Sequence, residues 1–379
     1  MPVEKSSATT RSRIILATDA RFSQPDYAND ISWLVSLGKG QVDPFSLNTT
    51  FGLRARSMQM FPRLVDAEIG PGGSISLPQP FDLRIVRNYP NFLQLVYSPL
   101  PEIEVNMEIW VPSSHVITGQ VEINNRSVLR RKLRFDWAAL LSPMKHGHGM
   151  AAVLMEKAYV LEGKTSELCP VFLLTGGPMP GPSSFPTLGF DMDLYPGNQS
   201  RFRWAMGILG SAETSLELAQ AAVSRDWEPE IARIELVNAS QHLTITTGNP
   251  AWNEAFRSAQ DTAFQLFFPG GSAFPAPSFV QSRTPDRGHS LRGDGGDYDP
   301  NWSGQTALDA WYLNQLILPA APELAAGVVD NFLAVQQENG EIDWKPGLAK
   351  QRMHMLAQPL LATLALQVQN SRPDPGWVE

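Results

Sequence analysis

Residues 247–268 read TGNPAWNEAFRSAQDTAFQLFF. Asn249 followed by Pro250 supplies an N-cap and a proline at the first helical position, where the missing N–H has no intrahelical partner to lose. Trp252, Ala255, Phe256, Ala259, Ala263, Leu266 and Phe267 then recur at i, i+3, i+4 spacing, so the stretch predicts one amphipathic helix. Upstream the period is two. Ile103, Val105, Met107 and Ile109 alternate with Glu104, Asn106 and Glu108, and Val116 to Ile123 reads as the next strand. Asn124-Asn125-Arg126-Ser127 predicts a turn, because Asn tolerates positive φ. Leu133, Phe135 and Trp137 alternate with Lys132, Arg134 and Asp136, and Phe202, Trp204, Met206 and Ile208 repeat the pattern. Alternation of this kind marks half-buried strands. The expected organisation is an antiparallel β-sandwich over residues 1–212, linker helices over 213–248, and a second, helical domain over 249–379.

Three more helices follow the first. Ser303 is the expected cap of one running to Leu318. Pro322 opens another, with Leu324, Ala325, Val328, Val329, Phe332 and Leu333 as its stripe and Gly340 as its stop. A fourth starts at Pro359 and carries LLATLALQV. The first and third have one apolar stripe, whereas the second and fourth are apolar nearly all round and predict burial on most sides. Only Pro319 to Ala321 separates the second from the third, while long polar segments join the first to the second and the third to the fourth. A toroid of helical hairpins has this character, with one-sided helices outside, buried ones inside, and long loops gathered on one face as a functional rim.

Composition narrows the function classes. With 379 residues, 43% apolar and 18% charged, the chain is long enough for two hydrophobic cores. A net charge of −8 with scattered Arg and Lys leaves no basic field for nucleic acid. No apolar run approaches the length of a membrane span, and MPVEKSSATTRSR lacks a secretory apolar stretch, so the expectation is a cytoplasmic protein with no membrane partner. Cys169 is the single cysteine, which excludes an intrachain disulfide. No cofactor or metal is expected. Asp297, Asp299 and Asn301 imitate the first ligands of an EF-hand loop, but Trp302 stands where Gly is needed and Leu308 where the bidentate Glu belongs. His146 and His148 are too few for zinc.

The chemistry is expected in the two long loops. Pro277 to Gln305 carries Arg283, Asp286, Arg287, Arg292, Asp294, Asp297, Asp299 and Trp302, and the second, ENGEIDWKPGLAKQRMH, carries Glu341, Asp343, Trp344, Lys345 and Arg352. Carboxylates and guanidinium groups suit sugar hydroxyls, and indoles suit the C–H faces of a sugar ring. On a helix starting at Ser303, Trp302, Gln305, Asp309 and Tyr312 would form one polar and aromatic stripe, with Asp309 either lining the pocket or paired with an Arg.

The order TGNPAWNEAF, YDPNWSGQTALDAWYL, ELAAGVVDNFLAVQQENGEIDWKPG and QPLLATLAL, placed after a β domain, resembles the clan of (α/α)6, six-hairpin glycoside hydrolases. Mannosylglycerate hydrolases and processing α-glucosidases are the most similar members, and trehalases are more distant. The resemblance implies an inverting glycosidase of carbohydrate metabolism acting on an α-linked glucoside or mannoside, with an oligosaccharide or small glycoside as its partner. It implies a Trp–Asp pair at the −1 subsite, of which Trp302 is present while Ser303 replaces the aspartate. It places the acid and base, two carboxyl groups about 6.5–9.5 Å apart in an inverting enzyme, beyond Glu379, so that residues 1–379 alone would be inactive. Sugar phosphorylases share the same two-part organisation, and a non-catalytic carbohydrate-binding or structural module is the remaining alternative.

Overall fold

The structure is a computed structural model that describes residues 13–38, 43–67, 82–271, 274–299, 301–302, 305–344, 346 and 358–373. The chain divides into two compact units. One comprises Met1–Leu16, Ile31–Arg225 and Thr284–Asp286, and the other Ala17–Asp30, Asp226–Arg283 and Arg287–Glu379.

The first unit is built from strands β1 (Arg13–Leu16), β2 (Trp33–Leu37), β3 (Phe45–Thr49), β4 (Ala55–Asp66), β5 (Arg84–Tyr89), β6 (Phe92–Leu100), β7 (Ile103–Ser113) and β8 (Val116–Asn125). It continues with β9 (Arg131–Pro143), β10 (His148–Met155), β11 (Ala158–Lys164), β12 (Cys169–Leu174), β13 (Met179–Pro180), β14 (Thr187–Leu194) and β15 (Gln199–Leu209). They form two antiparallel sheets, ordered β1-β2-β3-β4-β9-β14-β13 and β10-β11-β12-β15-β8-β7-β6-β5. Both sheets contribute to one core: Trp137 of the first lies 4.4 Å from Trp204 and 5.6 Å from Phe172 of the second, ring centre to ring centre. The period-two reading fixes which residues face it. Ile103, Val105, Met107 and Ile109 are buried while Glu104, Asn106 and Glu108 are half-exposed.

Helix α1 (Ala212–Val223) covers part of the other face of the second sheet. Leu216, Ala219 and Ala222 pack with Val116, Val160, Val171 and Ala205. This is why β8 is buried on both sides at Thr118 to Gln120. The approach is close enough that a Cβ at Gly207 would lie 2.0 Å from the Ser215 carbonyl oxygen. The turn after β8 differs from the expectation: no Asn there has positive φ. Asn125 instead accepts the Ser127 amide and donates to the Leu129 and Leu194 carbonyls, an Asx turn anchored by a buried side chain.

The second unit holds α2 (Trp227–Gln241), α3 (Pro250–Gln265), the short strands β16 (Phe267–Phe268) and β17 (Ser278–Phe279), α4 (Ala307–Ile317), α5 (Pro322–Leu333) and α6 (Gln358–Ser371). Asn249 caps α3 through the Ala251 amide, with Pro250 at the first helical position as the sequence predicts. Two boundaries differ. Thr306, not Ser303, caps α4, because its hydroxyl reaches the Asp309 amide at 3.1 Å; Ser303 lies outside the described residues. Helix α5 stops at Leu333, and Gly340, at φ +85°, closes a separate turn in which its amide donates to Gln337.

The expected alternation of one-sided and buried helices is also corrected. Helix α5 is the most enclosed, with eight of its residues from Leu324 to Phe332 buried, and Gly327 lets Pro277 approach so closely that a Cβ would sit 2.6 Å from it. Helix α4 buries one stripe, Ala307, Ala310, Asn314 and Ile317, and exposes Leu308 and Tyr312. Helix α6 buries Leu361, Leu364 and Val368 and exposes Leu366. Among the described residues, α5 packs against α4, α6 and β17 and α4 against α3, α5 and α6, yet of the two only α5 is buried over most of its surface.

A segment from far upstream completes this unit. Asp19 holds Arg21 bidentately, and the guanidinium lies 4.0 Å from the centre of the Phe264 ring and donates to Asn238. Among the described residues, no helix is long and apolar enough to cross a membrane.

Candidate functional site

The two long loops meet at the start of α4. Trp302 and Gln305 lie in the first loop just before the helix, and the Ala307 amide, at the first helical position, donates to the Trp344 carbonyl of the second loop at 2.9 Å.

The residues read as sugar ligands fall into three groups. The first is buried scaffolding. Arg283 is 4% exposed: its Nε and Nη2 each donate at 2.9 Å to Asp30, and its Nη1 donates to the Thr18 and Gln265 carbonyls. Gln305 is fully buried, accepting from Ser278 Oγ and donating to the Val328 carbonyl, both at 2.7 Å. Trp302, expected as a stacking platform, is 1% exposed and packs edge-on against Tyr298 at 4.2 Å, with Tyr27 and Phe268 around it. Its Nε1 finds no hydrogen-bond partner among the described residues.

The second group staples the loop to itself. Arg287 pairs with Asp299, whose other oxygen accepts the Asn301 amide. Asp297 accepts from Ser290 Oγ at 2.5 Å and from the Leu291 amide at 2.7 Å. Burial works to raise its pKa, but these bonds and the Arg292 backbone outweigh that and hold the carboxyl below its ordinary range. Tyr298, which donates to the Tyr27 carbonyl at 2.6 Å, is pushed far above the ordinary phenol range by burial, with neighbouring acidic groups adding to it.

The third group is offered to solvent or to the loop junction. Asp309 is the third residue of α4 and completes a reciprocal cap, with Thr306 Oγ1 donating to its carboxylate at 2.5 Å and Gln281 Nε2 at 2.9 Å. The expected stripe of Trp302, Gln305, Asp309 and Tyr312 is therefore not one helix face, since only Asp309 and Tyr312 lie on α4. Asp343 and Trp344 are half-buried beside the start of α4, and Arg292 and Glu341 are exposed. Asp286 is exposed and clusters with the first unit. Lys345 and Arg352 lie outside the described residues. No group of three or more His, Cys, Asp or Glu among the described residues is arranged to hold a metal ion.

Sequence reading missed Thr18, Tyr27 and Asp30, which brace the first loop. The signal was faint: FSQPDYAND, residues 22–30, breaks the strand period with Pro and Asp and would otherwise pass for a surface loop.

No protein-family model matches the chain, and no curated protein matches it. Among solved structures it is similar to a bacterial glucoamylase complexed with acarbose, at 9% identity and a TM-score of 0.52, over 96% of this chain and 58% of that one. That likeness is one of fold. A putative kojibiose phosphorylase from the human microbiome matches at 7% identity and a TM-score of 0.42, over 96% of this chain and 56% of that one. A GH92-family α-mannosidase from Bacteroides thetaiotaomicron in complex with mannoimidazole matches at 9% and 0.39, over 93% and 51%. The chain spans little more than half the length of these structures, with 58% the largest share of the three.

Proposed function

We propose that the chain is a carbohydrate-active protein of the glycoside hydrolase type, a β-sandwich followed by part of an (α/α)6 toroid, acting with inversion on an α-linked glucoside or mannoside. The observation that carries this reading is the fold likeness to a glucoamylase complexed with acarbose, which runs over 96% of this chain. The junction of the two loops supports it at the level of residues. Trp344 offers an indole for a sugar face and Asp343 and Glu341 offer acceptors for hydroxyls, beside a helix start already braced by Asp309. On this reading Arg283, Gln305 and Trp302 hold the loops in shape instead of touching sugar.

Because the chain spans 58% of the glucoamylase's length, binding is a more direct readout than turnover. Calorimetry of residues 1–379 with acarbose, an α-glucoside and an α-mannoside should give millimolar or tighter binding to one of them, lost in Trp344→Ala. Any released sugar should appear first as the β-anomer by NMR. Absence of binding to all three ligands overturns the proposal.

A further inference from the structure

His242, which caps the end of α2, stands between two acceptors. Its Nδ1 lies 2.8 Å from the Asn238 carbonyl oxygen one turn back, and its Nε2 lies 2.8 Å from Oδ1 of Asp261 on α3. The two side chains are each 12% exposed, and the Phe264 ring meets the imidazole edge-on at 5.4 Å. A carbonyl oxygen cannot donate, so Nδ1 carries a hydrogen. A neutral imidazole then presents a bare lone pair at Nε2, and an ionised carboxyl answers it with another. Two lone pairs at hydrogen-bond distance repel. The contact therefore needs one hydrogen more than a neutral imidazole and a carboxylate hold together, and the count is the same whether it sits on Nε2 or on Asp261.

The surroundings favour keeping that hydrogen. The ring closes the C-terminal end of α2, where the last carbonyls stabilise a positive group. Asp19 and Arg21, whose guanidinium donates to Asn238 Oδ1 at 2.9 Å, bind each other bidentately and so add no net charge. Helix α2 has no basic residue in its last turn, which leaves Asp261 as the charged group bonded to the ring among the described residues. We propose that His242 and Asp261 form a proton-dependent latch between the end of α2 and α3, closed with the extra proton bound and opened by its release to solvent. Gln260 of α3 extends the latch to the next residue, accepting the Leu243 amide and donating to the Leu243 carbonyl, both at 2.9 Å. Once apart, an ordinary carboxylate above about pH 4 and an ordinary imidazole above about pH 6.5 hold no proton between them. Opening then releases one proton, so its equilibrium constant rises by as much as tenfold per pH unit above about pH 6.5. Between about pH 4.5 and 6 the freed imidazole keeps the proton, and opening is level. Alkali, not acid, loosens the junction.

Hydrogen exchange of the His242 and Leu243 amides in residues 1–379, from about pH 6 to about pH 8.5 and corrected for intrinsic exchange, tests this. The opening constant should rise at least about fivefold across that range. Asp261→Asn is the deciding variant. Its carboxamide N–H donates to Nε2 of a neutral ring, so both contacts persist without the extra proton; protection should remain while its pH dependence disappears. His242→Ala should lose the protection at every pH, with the far-UV spectrum showing that the chain is folded. A wild-type opening constant that is flat from about pH 6 to about pH 8.5 overturns the proposal. So does an Asp261→Asn chain with the wild-type slope, or one that loses protection at every pH, because the amide offers the same two contacts.

Discussion

Two tryptophans describe the two halves of the molecule. Trp137, on β9, is fully buried and touches Trp204 and Phe172 from the opposing sheet, whereas Trp252, on α3, is 67% exposed. Both belong to stretches with strong apolar periodicity. In strands such as β7, alternation decides burial, because one face of the strand looks at the core that the two sheets share. In the helices, periodicity says which side is apolar but not whether a partner covers it. The two sheets of the first unit thus share one apolar core, while the second unit leaves apolar side chains exposed on α3, α4 and α6 and is tied internally by buried polar groups such as Arg283 and Gln305.

That contrast can be broken at its strongest points. Arg283→Ala removes four hydrogen bonds at once, leaving the Asp30 carboxylate buried and the Thr18 and Gln265 carbonyls without this donor. Removing one partner of a buried ion pair costs about 3–5 kcal/mol. Hydrogen exchange should show lost protection in α3 and around residues 17–30, and unchanged exchange there would mean the clamp is ornamental. Trp137→Ala empties the centre of the sheet core, a loss of about 3–5 kcal/mol for an aromatic-to-alanine change, read by urea unfolding. Trp252→Ala should change the stability of the chain by less than about 0.5 kcal/mol, as for an exposed site. Similar costs for both tryptophan changes would abolish the distinction.

A finer test sits where helix meets sheet. Gly207→Ala would drive a methyl into the Ser215 carbonyl, and overpacking of this kind costs about 1–3 kcal/mol. The corresponding change at Gly271, whose Cβ would meet nothing within 4 Å, should be close to neutral.

What the sequence conveyed follows the same divide. Strands β7, β8, β9 and β15 and helices α3, α5 and α6 were legible because period, proline and Asn caps are local signals. The start of α4 was misread because Ser303 and Thr306 are both competent caps, and the choice depends on which hydroxyl reaches a free amide. The site was less legible. Arg283 and Gln305 are residue types that suit a sugar equally well, and their burial depends on partners as distant as Asp30, 253 residues away in sequence. A residue's type shows what it can bond, while its direction is set by packing that no local pattern records.

At α4 itself, Thr306→Ala removes the N-cap hydroxyl shared by the Asp309 amide and carboxylate, for about 1 kcal/mol. The loss should appear as faster amide exchange in the first turn of α4. Thr306→Ser should restore most of the protection, since the hydroxyl and not the methyl makes the bond.

The smallest expected effect concerns acid. Asp297 is held below its ordinary value of 3.8 by Ser290 and the Leu291 and Arg292 amides, against an opposing push from burial. A carboxyl whose folded pKa is depressed contributes stability that is fully present above the unfolded value and is lost as pH falls through the folded one. The loop from Ser290 to Asp297 should therefore be unaffected between neutrality and about pH 5, then loosen progressively below about pH 4. The group is largely solvated, which keeps the change small and local. NMR of the Leu291 amide should follow it as a shift across that acid window, absent in Asp297→Asn. A Leu291 amide that titrates identically in the variant would assign the acid response to another carboxyl and remove Asp297 from the loop's staples.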